Sequence, residues 1–414
     1  MRHPPAASQW AGEGRRGARA GRIVAAAIAQ RTVALDPAAA RSLFPLTQRF
    51  VFMNHAGVAP MSDRGRAAIE ERTERLTIAP YGEGLAEAEA NRLRGSIARL
   101  VGAEPETIGL VRSTAHGLSL LAQGLDWREG DNVVGARGEY PANVYPWMAL
   151  RDRGVEYRMA EPEAGRITPA AVLSLVDDRT RVVALSHVQF WNGYRLDVEA
   201  IGAELDRRGV VFAVDAAQSV GALRLDLSAM PVDFLAASAG RWLLGPLGIG
   251  FCYCRPELLH RLRPVLVGVG SVKRSHEYFD YAYELCETAR RFEESSLSLL
   301  DLAAFQAGVD LLLDVGPELV QERVIDLAGR LAAGLAERGH QVVEPWPRSR
   351  RESSGIVSFR RPGATAAEVL RALTAAHVVG RQHADFVRLS PHFYNTPEEV
   401  DRVLDVLAPP GVDE

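Results

Sequence analysis

From residue 107 onward, short β-rich runs alternate with longer helical patterns, and this alternation constrains the fold more than any other feature of the chain. Helical patterns such as Val198–Arg208 lie between most of the runs. Strands joined by helical crossovers form mainly parallel sheets with helices on both faces. We therefore predict an α/β fold with a seven-stranded, mainly parallel sheet, whose strands fall at Thr107–Arg112, Asn132–Ala136, Glu156–Ala160, Val182–His187, Val210–Asp215, Phe234–Ala237 and Gly248–Cys254.

The pattern divides the 414 residues into four parts. Residues 1–40, rich in Ala, Gly and Arg, are interpreted as a mobile extension, and residues 41–61 as an N-terminal segment that packs on a small domain. Residues 62–260 form the predicted large domain. Residues 261–414 form the predicted smaller α/β domain, which includes the interdomain helix. Its helical patterns are Leu300–Arg338, Ala366–Ala376 and Pro397–Leu407, and its strand patterns are Gln341–Glu344 and Gly355–Phe359.

Charge and cysteine content exclude several classes of function. A net charge of −4 lacks the basic excess of proteins that bind nucleic acids or anionic membranes. The apolar run Ile23–Ala29 is too short to cross a bilayer. Three cysteines are too few for a disulfide scaffold and fit a reducing compartment, and the 10 histidines show no metal-ligand spacing. We expect a cytoplasmic protein that acts on small molecules, with no metal and with no nucleic-acid or membrane partner.

Polar side chains follow the carboxyl ends of several predicted strands, where open α/β sheets bind their ligands. Ser113 and Thr114 open a helix after the first strand, and hydroxyls with free N–H groups at a helix start suit an anion. A simple N-cap is the alternative. Asp215 ends the apolar strand VVFAVD, where a buried carboxylate needs a partner. A cation or a protonated ring nitrogen would supply one, and an internally hydrogen-bonded aspartate is the alternative.

Five segments of the chain resemble the class V aminotransferases, a family of fold-type I enzymes that use pyridoxal phosphate (PLP). They are MNHAGVAP, EYPANVYPW, VDAAQSVGALRLDL, RWLLGPLGIGF and VRLSPHFYNTPEEVDRV. The resemblance covers roughly residues 40–408 and is strongest to the branch of isopenicillin N epimerases and cysteine desulfurases. It implies the fold-type I PLP-transferase architecture, a homodimer with shared active sites, and a small amino or keto acid as substrate.

The resemblance also implies roles for residues that would bind the cofactor. Asp215 would keep the PLP ring nitrogen protonated, Gln218 would bind the ring hydroxyl, and Tyr140 would stack on the ring. The phosphate would lie against residues at the start of the first helix and at a strand end, with one hydroxyl from the partner subunit. These residues are Ser113, Thr114, Ala115, Ser238 and, from the partner subunit, Ser296.

The resemblance places the substrate at the C-terminal part of the chain. Arg388 lies where the family has the arginine that binds a substrate carboxylate, a bidentate role that suits guanidinium. Arg381 and Asn54 are expected in the same pocket. For both arginines the alternative is a surface ion pair.

Position 241 departs from the family. The family sequence Ser-x-His-Lys-Trp supplies a lysine that forms a covalent imine with PLP, whereas this chain has Arg241 in SAGRW. Forming that bond needs a neutral amine. The guanidinium group of arginine stays protonated at neutral pH and cannot form it. The only lysine, Lys273, lies in GVGSVKRSHEY, far from this motif. No cysteine follows Cys286, so the thiol that a desulfurase needs in its C-terminal domain is also missing.

Three functions remain open. In the first, PLP or its amine form PMP binds non-covalently, Arg241 adds positive charge, and His116, His187 or His383 moves protons. In the second, no cofactor binds, and the pocket catalyses condensation, cyclisation or isomerisation of a carboxylate substrate held by Arg241 and Arg388. In the third, the protein is a non-catalytic homologue that binds a ligand or a partner chain. We rank the third last, because the residues implied to hold the ring and the substrate occur together and indicate a functional pocket. Of the other two, we favour the first.

Overall fold

The computed structural model describes residues 35–80 and 85–408, so most of the predicted extension at 1–40 lies outside the described residues. A short strand, β1 (Val51–Phe52), precedes the central sheet. The strands of that sheet are β2 (Ile108–Val111), β3 (Asn132–Ala136), β4 (Glu156–Ala160), β5 (Thr180–Ser186), β6 (Val211–Asp215), β7 (Phe234–Ser238) and β8 (Gly250–Cys254).

The central sheet has the strand order β2-β8-β7-β6-β5-β3-β4. β8 is antiparallel to β2 and β7, whereas the pairings from β7 through β6, β5 and β3 to β4 are parallel. The prediction of a seven-stranded, mainly parallel sheet is therefore confirmed. Each predicted run contains or overlaps a strand of the sheet, because buried strands keep nearly continuous apolar sequences.

Helices cover both faces of the sheet. Alternate residues of β6 show this directly, since Phe212 and Val214 belong to one core cluster and Val211 and Ala213 to another. The helices along the chain are α1 (Pro37–Arg41), α2 (Asp63–Ile78), α3 (Leu85–Val101), α4 (Thr114–Gly124), α5 (Tyr145–Met148), α6 (Pro169–Leu173), α7 (Val198–Arg208), α8 (Pro256–Leu259), α9 (Leu299–Val315), α10 (Pro317–Glu337), α11 (Ala366–Ala375) and α12 (Pro397–Val406). Side chains of α3, α7 and α9 lie in the first cluster and side chains of α4 in the second.

The C-terminal part of the chain builds a second, antiparallel sheet, with strand order β12-β13-β10-β9. Its core contains side chains of α10, α11 and α12. The strands beyond β8 are β9 (Gln341–Val342), β10 (Val357–Arg360), β11 (Val378–Val379), β12 (Arg381–His383) and β13 (Phe386–Leu389). The last three of these strands were not predicted.

The N-terminal segment contacts this C-terminal part. β1 pairs in parallel with β11, and Arg41 donates two hydrogen bonds, of 2.7 and 3.0 Å, to the carboxylate of Glu399 on α12. Beyond β1, Asn54 forms a separate parallel bridge with Ser390, the residue after β13. These contacts carry the loop after β1 to the edge of both sheets. In the described ranges, no helix is long and apolar enough to cross a bilayer.

Candidate functional site

Adjacent strands of the central sheet end in polar side chains at one edge. Ser186 of β5 is paired with Asp215 of β6, and Asp215 is in turn paired with Ala236 of β7, two residues before Ser238. Parallel strands present their carboxyl ends at the same edge, where open α/β sheets bind ligands. The sheet thus places Asp215 and Ser238 close together.

The start of α4 adds hydroxyl and N–H groups to this edge. The Ser238 hydroxyl accepts a hydrogen bond of 2.9 Å from the Thr114 N–H, and the two hydroxyls lie 2.9 Å apart. The Ser113 hydroxyl accepts from the His116 N–H at 3.1 Å, so it is an N-cap, and Ala115 contributes no hydroxyl. A hydroxyl pair beside the first turn of an 11-residue helix is a suitable place for a phosphate.

Asp215 is buried without a cationic partner among the described residues. Its Oδ1 accepts a hydrogen bond of 2.9 Å from the Ala217 N–H. Burial, together with the charge of Glu139, raises the pKa of Asp215 to about 7, although the Ala217 N–H and the charge of Arg241 oppose the shift. A protonated ring nitrogen against this carboxylate would favour its ionised form, as the role implied for Asp215 requires.

Glu139, beside the predicted Tyr140, is a buried residue that the sequence analysis did not assign. Its carboxylate accepts hydrogen bonds from the Ser186 N–H at 2.8 Å, from Gln189 at 2.7 Å and from Asn143 at 3.1 Å, and a further one from the Ser186 hydroxyl. Burial raises the pKa of Glu139. These bonds fix the end of β5 and the segment that carries Tyr140. The motif EYPANVYPW contains Glu139 and Asn143, so the sequence held a signal for this cluster.

Arg241 and Gln218 connect the edge of the central sheet to the loop after β1. Nη1 of Arg241 donates to the carbonyls of Ala56 at 2.7 Å and Gly57 at 2.6 Å. Gln218 donates to the same Ala56 carbonyl at 3.1 Å and accepts from Trp242 Nε1 at 2.8 Å. The guanidinium carbon of Arg241 also lies 5.8 Å from the centre of the Tyr140 ring. Arg241 therefore anchors this loop to the end of the central sheet.

A cavity of about 260 Å³ lies between these elements. It joins the loop after β1, the ends of the central strands, and the β12–β13 hairpin, and its lining contains no acidic residue. The lining residues are Asn54, Ala56, Gly57, Val58, Tyr140, Phe190, Gln218, Arg241, Arg381, His383 and Arg388. The predicted substrate-binding residues thus share one cavity with Tyr140, Gln218 and Arg241.

Arg388 is 3% exposed and has donors left for a ligand. Its Nη1 donates to the Phe190 carbonyl at 2.7 Å, whereas its buried Nε has no hydrogen-bond partner among the described residues. Burial, followed by the charges of Arg241 and Arg381, lowers the pKa of Arg388 to about 9, so it remains a cation at neutral pH. An unpartnered N–H on a buried guanidinium suits a carboxylate. Asn54 lines the same cavity, and its buried Oδ1 also has no partner within residues 35–80 and 85–408.

The three predicted proton-transfer histidines occupy different places. His383 lines the cavity, and burial with the charges of Arg388 and Arg381 lowers its pKa to about 4, so it is a neutral base. His187 does not line the cavity, because its Nε2 accepts from Arg195 at 3.2 Å behind the strand end. His116 does not line it either, since its Nδ1 accepts from the Arg112 N–H at 3.2 Å. The structure therefore brings His383, and neither of the other two, to the predicted substrate residues.

Ser296 and Lys273 lie apart from this cavity within one chain. Ser296 lines a separate cavity of about 230 Å³. Lys273 is exposed, with its Nζ 2.5 Å from Glu287 Oε1. The assignment of Ser296 to a partner's phosphate site stays a prediction.

Two further residues, Phe190 and His55, support the cavity although neither was predicted from the sequence. Phe190 binds Arg388 through its carbonyl, and its ring lies 5.2 Å from that of Tyr140 in an edge-on arrangement. His55 lies buried next to the cavity loop, with Nε2 2.6 Å from the Tyr394 hydroxyl and Nδ1 3.0 Å from the Ser390 carbonyl. These contacts support the cavity wall from the N-terminal segment and from the residues after β13. No group of three His, Cys, Asp or Glu in the described part of the chain is arranged to hold a metal.

Comparison with known proteins decides the family. The family model described as aminotransferase class-V matches residues 83–403. The chain belongs to the class V aminotransferase family. The predicted resemblance is thereby confirmed.

Relatives within the family have different names. The isopenicillin N epimerase of Streptomyces clavuligerus is 30% identical over 342 residues, which cover 76% of this chain and 82% of the relative. A probable cysteine desulfurase of Methanothermobacter thermautotrophicus is 28% identical over 332 residues, with the same coverage of 76% and 82%. These matches support the family and leave the substrate of this chain open.

Solved structures confirm the fold-type I architecture. The apo cysteine desulfurase from Thermococcus onnurineus superposes with a TM-score of 0.80 at 25% identity, covering 89% of this chain and 96% of that one. A lysine-to-alanine mutant of C-DES, with glycine covalently linked to its PLP cofactor, superposes with a TM-score of 0.83 at 24% identity over 90% and 99% of the chains. At that identity the second likeness concerns the fold alone.

Proposed function

We propose that this class V aminotransferase family member is an enzyme that binds PLP or PMP without a covalent bond to the chain and acts on a small amino or keto acid. The observation that carries the proposal is Asp215, a buried carboxylate with a pKa of about 7 and no cationic partner among the described residues. A protonated pyridine nitrogen supplies the missing charge. Arg241 at the lysine position excludes the covalent bond.

The residues around Asp215 suit the rest of the cofactor. The Thr114–Ser238 hydroxyl pair at the start of α4 binds the phosphate, and the second N–H of the Gln218 amide is free for the ring hydroxyl. Tyr140, 42% exposed at the cavity wall, covers one face of the ring. When bound, PLP supplies an electron sink for negative charge that develops on an amino acid.

The substrate is held by the other side of the cavity. Arg388 binds its carboxylate through the donors that Phe190 does not occupy. His383 is neutral, with its Nε2 buried and unpartnered in the described residues, and accepts a proton from the substrate. Arg241 fixes the loop at Ala56 and Gly57, which holds this side of the cavity in place.

The main alternative is a cofactor-independent enzyme that uses Arg241 and Arg388 to bind a carboxylate or an oxyanion. The observation in its favour is that Arg241 occupies the cavity wall and anchors the loop after β1. A cysteine desulfurase reaction is not proposed, because Cys252, Cys254 and Cys286 are buried and none lines the cavity. A non-catalytic role as a ligand-binding or partner-binding homologue is the second alternative.

Equilibrium dialysis against PLP tests the proposal. We expect saturable binding by the wild-type protein and binding at least about tenfold weaker by Asp215→Ala, because the variant loses the partner of the ring nitrogen. Asp178→Ala, which removes an exposed carboxylate from the same domain, is the matched control and should bind like the wild type. Absence of saturable binding by the wild type would instead favour the cofactor-independent alternative.

We also propose that the protein is a homodimer that completes its phosphate site with Ser296 of the partner. The segment 278–283 exposes four aromatic side chains, Tyr278 at 68%, Phe279 at 93%, Tyr281 at 89% and Tyr283 at 66%, which is unusual for a solvated surface. Light scattering should give the mass of two chains. The double variant Phe279→Ser, Tyr281→Ser should shift the protein toward monomers at equal concentration and weaken PLP binding. A wild-type monomer with full PLP binding contradicts the shared site.

A further inference from the structure

Three arginines face the cavity without an acidic residue to balance them. Arg241, Arg381 and Arg388 all line it, and neither Asp nor Glu is among its lining residues. Within the described part of the chain, none of the three makes an ion pair. Asp215 does not line the cavity and is assigned to the cofactor ring nitrogen. The cavity therefore carries an excess of positive charge.

The small sheet places two of these charges side by side. Arg381 of β12 and Arg388 of β13 are directly paired across the antiparallel ladder. Side chains at such positions lie on the same face of a sheet, with Cβ atoms about 4.5–5.5 Å apart, and like charges there are destabilising. The lowered pKa of Arg388 has the same origin in part, since the charges of Arg241 and Arg381 follow burial among its causes. The two like charges reduce the stability of the fold. An anionic ligand that neutralises them would explain why both arginines are present.

A single carboxylate does not balance the cavity. The substrate carboxylate on Arg388 supplies one negative charge, and the phosphate proposed for the Thr114–Ser238 site has its own donors at the start of α4. Arg241 adds a permanent cation where the family has a lysine that reacts with the cofactor. Only Nη1 of Arg241 binds the loop carbonyls, and Arg381 makes no side-chain hydrogen bond in the described ranges, so both have donors left.

We infer that the substrate carries two anionic groups, an α-carboxylate bound by Arg388 and a second carboxylate or phosphate-type group bound by Arg381 and Arg241. This rests on the proposed function, which assigns Arg388 to the α-carboxylate and Asp215 to the cofactor. Guanidinium groups bind carboxylates and phosphate-type groups alike in a bidentate manner. The second group is therefore a planar or tetrahedral oxyanion that both Arg381 and Arg241 can reach.

Calorimetry with matched four-carbon ligands tests the inference on the PLP-saturated protein. Succinate, with two carboxylates, should bind at least about tenfold more tightly than butyrate, with one, and the difference should shrink as salt is added. 3-Phosphonopropionate identifies the second group, because it binds more tightly than succinate if that group is of the phosphate type. Equal affinities for butyrate and both dianions would overturn the inference.

Arg381→Gln provides the residue-level test. Arg381 is exposed, so we expect its replacement to leave the fold intact. The variant should lose most of the preference for succinate and bind butyrate as the wild type does. Arg371→Gln removes an exposed charge of α11 outside the cavity and should keep the preference. An unchanged preference in Arg381→Gln contradicts the inference.

PLP binding is measured separately on the same samples. A protein that binds PLP without a dianion preference refutes the substrate inference alone. One that prefers dianions without binding PLP refutes the cofactor proposal alone.

Discussion

Arg241→Lys should turn the colourless apoprotein yellow when PLP is added. The cavity wall already holds position 241 beside Gln218 and Tyr140, and the side chain of Asp215 lies near enough for its pKa to respond to Arg241. A lysine there regains a neutral amine form that reacts with the PLP aldehyde. We expect a change from no covalent PLP to one PLP per chain, visible as absorbance that borohydride fixes to residue 241 and that peptide mass analysis locates.

Arg241→Gln is the matched control, since it removes the cation and supplies no amine that reacts. It should remain free of covalent PLP, and both variants should lose native activity because the loop carbonyls of Ala56 and Gly57 lose their donor. If borohydride fixes no PLP to Arg241→Lys, even at saturating PLP, the site has closed around a different ligand. The cofactor-independent function then becomes the better account.

Arg388→Ala should weaken the binding of carboxylate ligands far more than it weakens folding. Losing a bidentate contact in a buried site costs on the order of 2–5 kcal/mol, or roughly 30-fold to several thousand-fold in affinity. The folded protein loses one bond to the Phe190 carbonyl and leaves no acidic partner unpaired among the described residues, so the melting temperature should change little. Calorimetry with butyrate, alongside thermal denaturation, measures both effects.

The comparison for this variant is Arg371→Ala, an exposed arginine of the same domain that does not line the cavity. It should leave butyrate affinity and melting temperature unchanged. If Arg388→Ala binds butyrate as tightly as the wild type, Arg388 does not bind the carboxylate. The inference of a substrate with two anionic groups, which assigns one of them to Arg388, would then be contradicted as well.

The central sheet could be predicted because its strands leave a strong sequence pattern. Runs such as VVFAVD are buried on both faces, so nearly every residue is apolar and the run stands out from the helices around it. β12 gives no such pattern, because Arg381 and Gln382 are exposed and the strand is defined by its pairing with β13. The pairing of β1 with β11 joins segments more than 300 residues apart, which no local pattern shows.

The candidate site could be predicted in part for a similar reason. Asp215 and Arg388 are charged residues in apolar strands, so each is visible locally as a group that needs a partner. The carbonyls of Ala56 and Phe190 carry no side-chain signal, although they hold Arg241 and Arg388. His187 and His383 are equal candidates by residue type. Only the approach of the two sheets decides that His383 lines the cavity.

The central claim is that this chain holds PLP without a covalent bond. Borohydride reduction of the PLP-saturated wild-type protein, followed by intact-mass measurement, tests it most directly. We predict saturable PLP absorbance before reduction and, once unbound PLP has been removed, an unchanged chain mass after it. Arg241 cannot form the bond, and Lys273 is paired with Glu287 outside the cavity. A chain that gains the mass of one reduced PLP group, at Lys273 or elsewhere, or that shows no saturable PLP absorbance at all, contradicts the claim.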